Sequence, residues 1–292
     1  MGTKKTIYLV DDDEDDLLLL RQALESVIPG VSIIEIRDGR TLLDMVEKQE
    51  EKLNPSLILI DLNMQRMGGI EAVSNLKANP KTHNIPVVMV STSNDEQVIR
   101  GAYEEGVSAF ITKPLSHAEY KKIAEAINVC FLNSFSGHDD VLIPDNFKDK
   151  SILVVECDDE KWKTMNHGFK SYLHDLNIIR TCNRLDTLNF LTEEWFNLPK
   201  PPELIIFDIY LPTRQEGLGL LDSIRYFFLF HSLPAIPIII FSTSDQTEDI
   251  KACYEHNANA YLTKSQDINE SMSYFKKLCH FWCSMISVPK SM

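Results

Sequence analysis

Short apolar runs recur along this chain, and each ends on polar residues. Thr6-Ile7-Tyr8-Leu9-Val10 runs into Asp11-Asp12-Asp13-Glu14-Asp15-Asp16. The run from Ser56 to Ile60 stops at Asp61, and the run from Ile85 to Val90 ends in Ser91-Thr92-Ser93. Ala109-Phe110-Ile111-Thr112 leads into Lys113-Pro114. Unbroken runs of branched apolar residues predict strands buried on both faces, as in a parallel sheet. After Pro29-Gly30, Ser32 to Ile36 predicts one more strand. Between the strands lie stretches of helical spacing: Leu17 to Leu24, Thr41 to Glu51, Ile70 to Lys77, Glu96 to Glu105, and a last helix from a cap at Ser116 to about Leu132. Strand and helix alternate strictly, which predicts a five-stranded parallel sheet with helices on both faces and right-handed crossovers.

The pattern then repeats. Ile152-Leu153-Val154-Val155 is followed by Glu156-Cys157-Asp158-Asp159, and Leu204-Ile205-Ile206-Phe207 by Asp208. Ile236 to Phe241 precedes Ser242-Thr243-Ser244, and Ala260-Tyr261-Leu262-Thr263 precedes Lys264. The spacing from Ser91 to Lys113 equals that from Ser242 to Lys264. Two copies of one domain are expected, at 1–133 and 150–287, with a linker at 134–149 and a tail at 288–292. A chain of 292 residues is long enough for two such cores.

The carboxyl ends of parallel strands share one end of the sheet, where ligands of open α/β folds bind. Asp11, Asp12, Asp61, Ser91 and Lys113 are therefore expected to converge. Crowded carboxylates raise one another's pKa unless a cation joins them. Mg²⁺ suits such a place, because it takes one or two carboxylates, a backbone carbonyl and waters. An aspartate between that ion and a lysine is equipped to attack a phosphoryl group and hold it as an acyl phosphate. For a single aspartate the simpler reading is a turn or cap residue, and for Asp13 to Asp16 it is favourable charge at a helix N-terminus. The full set of strand-end residues favours the chemical reading.

The motifs VDDD, LILIDLNM with MGG, VVMVSTS and AFITKPL, in this order over residues 6–130, resemble the receiver domain of two-component response regulators. The short form with an aromatic last helix is similar to receivers that serve phytochrome-type histidine kinases. The resemblance implies two flavodoxin-like domains, each with strand order 2-1-3-4-5. It implies Asp61 as phosphoacceptor and Asp12 as direct metal ligand. Asp11 would assist through water, with the backbone carbonyl of Asn63 as a further ligand. Ser91 and Lys113 would contact the phosphoryl group, and Phe110 would be the switch aromatic. Gln65 stands where proline is usual. The second copy keeps Asp208, Ser242, Lys264 and Tyr261. It has Cys157 where the direct ligand belongs, Tyr210 at the place of Asn63, and Ser265 in place of the proline after the lysine. A thiol is a poor partner for a hard cation, so Glu156 and Asp208 are expected to bind Mg²⁺ weakly, and phosphorylation of Asp208 to be slow. The implied partners are a sensor histidine kinase or phosphotransfer protein, and a downstream protein the sequence does not name. The alternative is a phosphate-independent pseudo-receiver scaffold.

Composition narrows the field. The net charge of −14 argues against nucleic acid or an anionic membrane as partner and is compatible with a cation site. No run reaches membrane-spanning length, and the apolar stretch at the N-terminus is too short for a signal peptide, so a cytoplasmic protein is expected. Six cysteines occur without CxxC or zinc spacing, which predicts reduced thiols, with Cys157 a small buried core residue. The first βα loop is acidic and lacks a glycine-rich phosphate cradle, against a flavin or nucleotide binder. Asn63 stands where aspartate-nucleophile phosphatases need a second carboxylate, so no enzyme beyond self-directed phosphotransfer is expected. Only 288–292 follow the last helix, so no output domain is expected. Phe275, Leu278, Phe281 and Trp282 lie at helical spacing; some would pack in the core, and an exposed remainder could pair two copies in a homodimer.

Overall fold

The computed structural model describes residues 5–48, 55–114, 116–132, 147–148, 150–173, 175–265, 275 and 277–289. Most of the expected linker, the end of the second helix and the last residues of the tail lie outside the described residues.

The first half runs β1 (Thr6–Val10), α1 (Glu14–Val27), β2 (Ser32–Ile36), α2 (Gly39–Lys48), β3 (Leu57–Ile60), α3 (Gly69–Ala78), β4 (Val87–Ser91), α4 (Glu96–Glu104), β5 (Ala109–Thr112) and α5 (His117–Leu132). The second half runs β6 (Ser151–Val155), α6 (Asp159–Tyr172), β7 (Asn177–Thr181), α7 (Arg184–Asn189), β8 (Leu204–Phe207), α8 (Arg214–Phe230), β9 (Ile238–Ser242), α9 (Thr247–Glu255) and β10 (Ala260–Thr263). A π turn, Phe190–Glu194, and a 3-10 turn, Trp195–Asn197, continue α7. Each half forms one five-stranded parallel sheet. The orders are β2-β1-β3-β4-β5 and β7-β6-β8-β9-β10, the same order in each, so the chain carries two flavodoxin-like folds.

The central strands explain their own position. Every residue of β3, β4, β6, β8 and β9 is buried, as expected where helices cover both faces. Each branched side chain so buried contributes roughly 1.5–3 kcal/mol of transfer free energy. The helices start at caps. Asp13, Asp95 and Asp158 each accept hydrogen bonds from two backbone N–H groups of the first turns of α1, α4 and α6.

Register decides what meets at the carboxyl end. Val10 lies beside both Ile36 and Ile60, so Asp11 and Asp61 follow at the same level. The Asp61 N–H donates to Val10 O at 2.8 Å, and the Lys113 N–H donates to Ser91 O at 2.7 Å. The second half repeats this. Val155 lies beside Phe207, and the Lys264 N–H donates to Ser242 O at 2.6 Å.

Two compact units result, and residues 285–289 belong with the first. Ile286 makes an antiparallel bridge to Ile111 on β5, and the Ser287 N–H donates to Phe110 O at 2.9 Å. An outer strand that would otherwise present unpaired backbone groups is thereby partly covered. The expected exposed remainder among Phe275, Leu278, Phe281 and Trp282 is not found: all four are buried. Phe275 packs between Phe169 of α6 and Phe241 of β9, with ring centroids at 4.4 and 5.8 Å. In sequence the ends of the two domains resemble each other. In structure α5 stays α-helical, whereas Phe281–Met285 winds as a π-helix.

Two glycines have no room for a side chain. A Cβ at Gly69 would lie 2.2 Å from Asp61 O, and one at Gly217 would lie 1.9 Å from Ile209 O. These helices therefore pack directly on the backbone at the strand ends that carry Asp61 and Asp208. Gly101, inside α4, faces open space. Gly69→Ala and Gly217→Ala are each expected to lower stability by about 1–3 kcal/mol. Gly101→Ala is expected to raise it by about 0.5–1 kcal/mol. Urea unfolding of the three variants checks this, and equal effects at all three positions would refute it.

Candidate functional site

In the first unit the strand-end residues meet around one lysine. Lys113 Nζ lies 2.8 Å from Asp11, 2.7 Å from Asp16 and 2.7 Å from Asp61. Asp11 and Asp61 are buried, and their other oxygens are fixed by local backbone. Asp11 Oδ1 accepts from the Asp13 N–H at 2.9 Å, and Asp61 Oδ2 accepts from the Asn63 N–H at 2.5 Å. Asp12 leans the other way, accepting from the Gln65 N–H at 3.1 Å. The structure thus gathers Asp11, Asp61 and Lys113 in direct contact and leaves Asp12 at the rim.

The electrostatics follow from this crowding. Burial pushes the Asp11 carboxyl up, and the charge of Asp61 adds to the effect, against hydrogen bonds from Lys113 and Asp13. Burial disfavours the Lys113 cation, yet its hydrogen bonds to Asp11, Asp16 and Asp61 outweigh that and hold it above its ordinary range. Tyr120 on α5 donates its hydroxyl to Asp16 at 3.3 Å, and burial together with the Asp16 charge pushes it up to about 12.

Asp16 and Tyr120 were not singled out by the sequence. Asp16 looked like one more helix-entry carboxylate, and only the fold turns it inward. Within a run of six acidic residues no sequence signal sets it apart.

Ser91 is buried at the end of β4, where its hydroxyl oxygen accepts from the Ser93 N–H at 3.2 Å. Phe110 is fully buried. Its N–H donates to the Tyr103 hydroxyl at 3.3 Å. Among the described residues, no three His, Cys, Asp or Glu side chains are drawn together as a ready metal cage. The donor set of the first unit is nonetheless all oxygen, and it carries more negative charge than Lys113 neutralises. That fits a hard cation which keeps most of its waters.

The second unit uses the same frame with different charges. Among the carboxylates of the described residues, Lys264 Nζ contacts Asp208 alone, at 2.8 Å. The Ser242 hydroxyl donates to the other Asp208 oxygen at 2.6 Å. Lys161 stands at the position of Asp16. Glu156 is buried and accepts from the Asp158 N–H at 3.0 Å. Tyr261 is fully buried and donates its hydroxyl to Ser244 O at 2.8 Å.

Cys157 corrects two expectations. It is exposed, and it forms a disulfide with Cys182. The physical reason is topological. β6 and β7 are neighbours, so the loops that follow them run side by side. The position that Asp12 holds in the first unit is thus occupied by a sulfur committed to a disulfide, and Glu156 and Asp208 are the carboxylates left at the strand ends.

A further cluster was not legible in the sequence. Asp249, buried at the start of α9, accepts from the Tyr210 hydroxyl at 2.9 Å and from Arg214 Nε at 2.6 Å. It also accepts from the Ser244 hydroxyl at 2.5 Å. Burial opposes its ionisation, but these three donors hold its carboxyl below the usual range. The loops after β8 and β9 are tied together by it.

A family model, the response regulator receiver domain, matches residues 7–125 and 152–276. The chain belongs to this family. It is a response regulator of two-component signalling with two receivers in tandem. Response regulator Rcp1 of Synechocystis sp. is 32% identical over 133 residues, which covers 44% of this chain and 90% of that protein. The probable methanogenesis regulatory protein FilR2 of Methanothrix harundinacea is 31% identical over 128 residues, covering 43% of this chain and 83% of that one. A solved structure, the phosphorylated cyanobacterial phytochrome response regulator RcpA, is 31% identical, with a TM-score of 0.42 over 46% of this chain and 97% of that one.

Lys113 can be tested without any phosphodonor. In chelator-treated buffer at neutral pH, Lys113→Ala is expected to cost about 3 kcal/mol, because it strands buried carboxylates. Without the cation the Asp11 carboxyl rises further above its unfolded value. The folded variant then binds more protons than the unfolded chain, so its deficit shrinks as pH falls toward the carboxylate range. Urea unfolding at neutral and mildly acidic pH measures both terms. A deficit that grows on acidification would refute the assignment.

Proposed function

We propose that the first receiver of this response regulator accepts a phosphoryl group on Asp61 from the phosphohistidine of a sensor kinase or phosphotransfer protein, with Mg²⁺. The observation that carries this reading is the Lys113 contact. A partly buried lysine ammonium lies 2.7 Å from an Asp61 oxygen, beside the second carboxylate of Asp11. Family membership supports a histidine kinase as donor.

An Asp61 oxygen attacks phosphorus, the phosphorus–nitrogen bond to the donor breaks, and the imidazole leaves with a proton. Lys113 moves its hydrogen bonds from the carboxylates to the incoming phosphoryl oxygens. The Ser91 hydroxyl turns from the Ser93 N–H to another of them. Asp11, Asp12, Asp61 and the carbonyl of Asn63 would hold the cation, which when bound neutralises charge on the transferred group. The new dianionic charge biases a two-state element, with Phe110 as its aromatic member, and so alters binding to a downstream protein or a second copy.

The second receiver is read as a regulatory and interaction unit that does not depend on Mg²⁺. Asp208 keeps its lysine and hydroxyl, but a committed sulfur and Lys161 replace two of the acidic positions.

Full-length protein treated with acetyl phosphate and Mg²⁺ should gain one phosphoryl group, located by peptide mass spectrometry on Asp61. Chelation or Asp61→Asn should abolish it, and Asp208→Asn should leave it. Equal labelling of wild type and Asp61→Asn would show the assignment to be wrong.

A further inference from the structure

We propose that Cys157 and Cys182 form a reversible thiol–disulfide site on the second receiver, whose reaction partners are low-molecular-weight disulfides and thiols. The two residues lie 25 positions apart, with Cα atoms 4.1 Å apart. Cys157 follows β6 and Cys182 follows β7, both at the carboxyl end of the sheet. Cys157 stands at the position Asp12 holds in the first receiver, as the second residue after the strand.

Access separates this pair from the other cysteines. Cys157 is exposed and Cys182 partly so. Cys130, Cys253, Cys279 and Cys283 are all buried. Burial pushes the Cys253 and Cys283 thiols up to about 12, which leaves them almost no thiolate at neutral pH. Thiol–disulfide exchange needs a thiolate and an open approach to sulfur, and only the pair offers the approach.

The surrounding backbone is held by bonds that do not involve sulfur. The Glu156 N–H donates to Thr181 O at 3.0 Å. Arg180 donates from Nε to Glu156 O at 2.9 Å and from a terminal nitrogen to Cys157 O at 3.3 Å. The Cys182 N–H donates to Asp186 at 2.6 Å, and Asp158 caps α6. Arg180 also stacks over Trp162, 5.1 Å from its centroid. Opening the disulfide therefore leaves both thiols facing each other, ready to close again.

The exchange balances without further reagents. In closing, the Cys157 thiolate attacks one sulfur of a small disulfide, the sulfur–sulfur bond breaks, and one small thiolate leaves. The Cys182 thiolate then attacks the Cys157 sulfur of that mixed disulfide and releases the second. The two protein thiols are oxidised, the small disulfide is reduced to two thiols, and the protons go to the leaving thiolates. Reduction runs the same steps backwards. The outcome differs chemically between the states: one end of the sheet presents either two thiols or a closed bridge that ties the loop before α6 to the end of β7.

The test uses the full-length native protein equilibrated in mixtures of reduced and oxidised glutathione, then acid-quenched and alkylated. Peptide mass spectrometry should show two cysteines, Cys157 and Cys182, moving together from alkylated to disulfide-bonded as the oxidised fraction rises, and back on dilution into reduced glutathione. The other four should react only after denaturation. Cys182→Ser should accumulate a glutathione mixed disulfide at Cys157. A bridge that stays closed in native protein under excess reduced glutathione, opening only in denaturant, would overturn the proposal. So would thiols that remain fully alkylatable under oxidised glutathione, or a Cys157 left unmodified in Cys182→Ser.

Discussion

One ammonium group facing three carboxylates is the interaction on which the first receiver's site depends. Lys113 reaches Asp11, Asp16 and Asp61 at hydrogen-bond distance from the end of β5. Each contact is worth on the order of several kcal/mol at an effective dielectric near 20, offset by the cost of desolvating the ions. The sum of charges still leaves the cluster negative. That imbalance favours a further cation at this place. Nothing exotic in the backbone is needed. Parallel register brings strand ends level, and the glycine that opens α3 lets that helix press against the Asp61 carbonyl.

The second receiver shows how far the frame can be kept while the chemistry shifts. Strand order, the lysine, the hydroxyl and the acidic strand end are all retained. What has changed is charge and closure. Lys161 replaces an inward carboxylate, a disulfide takes the place of Asp12, and Asp249 clamps Tyr210, Arg214 and Ser244 together. A site whose loops are tied by a covalent bridge and a buried ionic cluster has less freedom to rearrange around an incoming group. The two units are the same fold put to different electrostatic use.

The sequence by itself determined the fold class, the duplication and the main strand-end residues. Central strands of a parallel sheet are apolar on both faces, so their runs are unmistakable, and the residues ending them fall at one end of the sheet by geometry alone. β7 was harder to read, because an outer strand is only half-buried and its composition is mixed. The short α7, continued by a π turn, lacks the length that makes helical periodicity visible.

Only the tertiary structure decided which acidic residues turn inward. Asp12 and Asp16 are indistinguishable in a run of acids, yet one leans to Gln65 and the other reaches Lys113. Pairing of Cys157 with Cys182 was likewise invisible, because cysteines 25 residues apart meet only when β6 and β7 become neighbours. The same holds for Ile286 on β5 and for the burial of Phe275 and Trp282. Periodicity reports how a residue sits on its own element. Which element lies opposite is a matter of long-range packing, and that is where charge pairs, bridges and covered faces are settled.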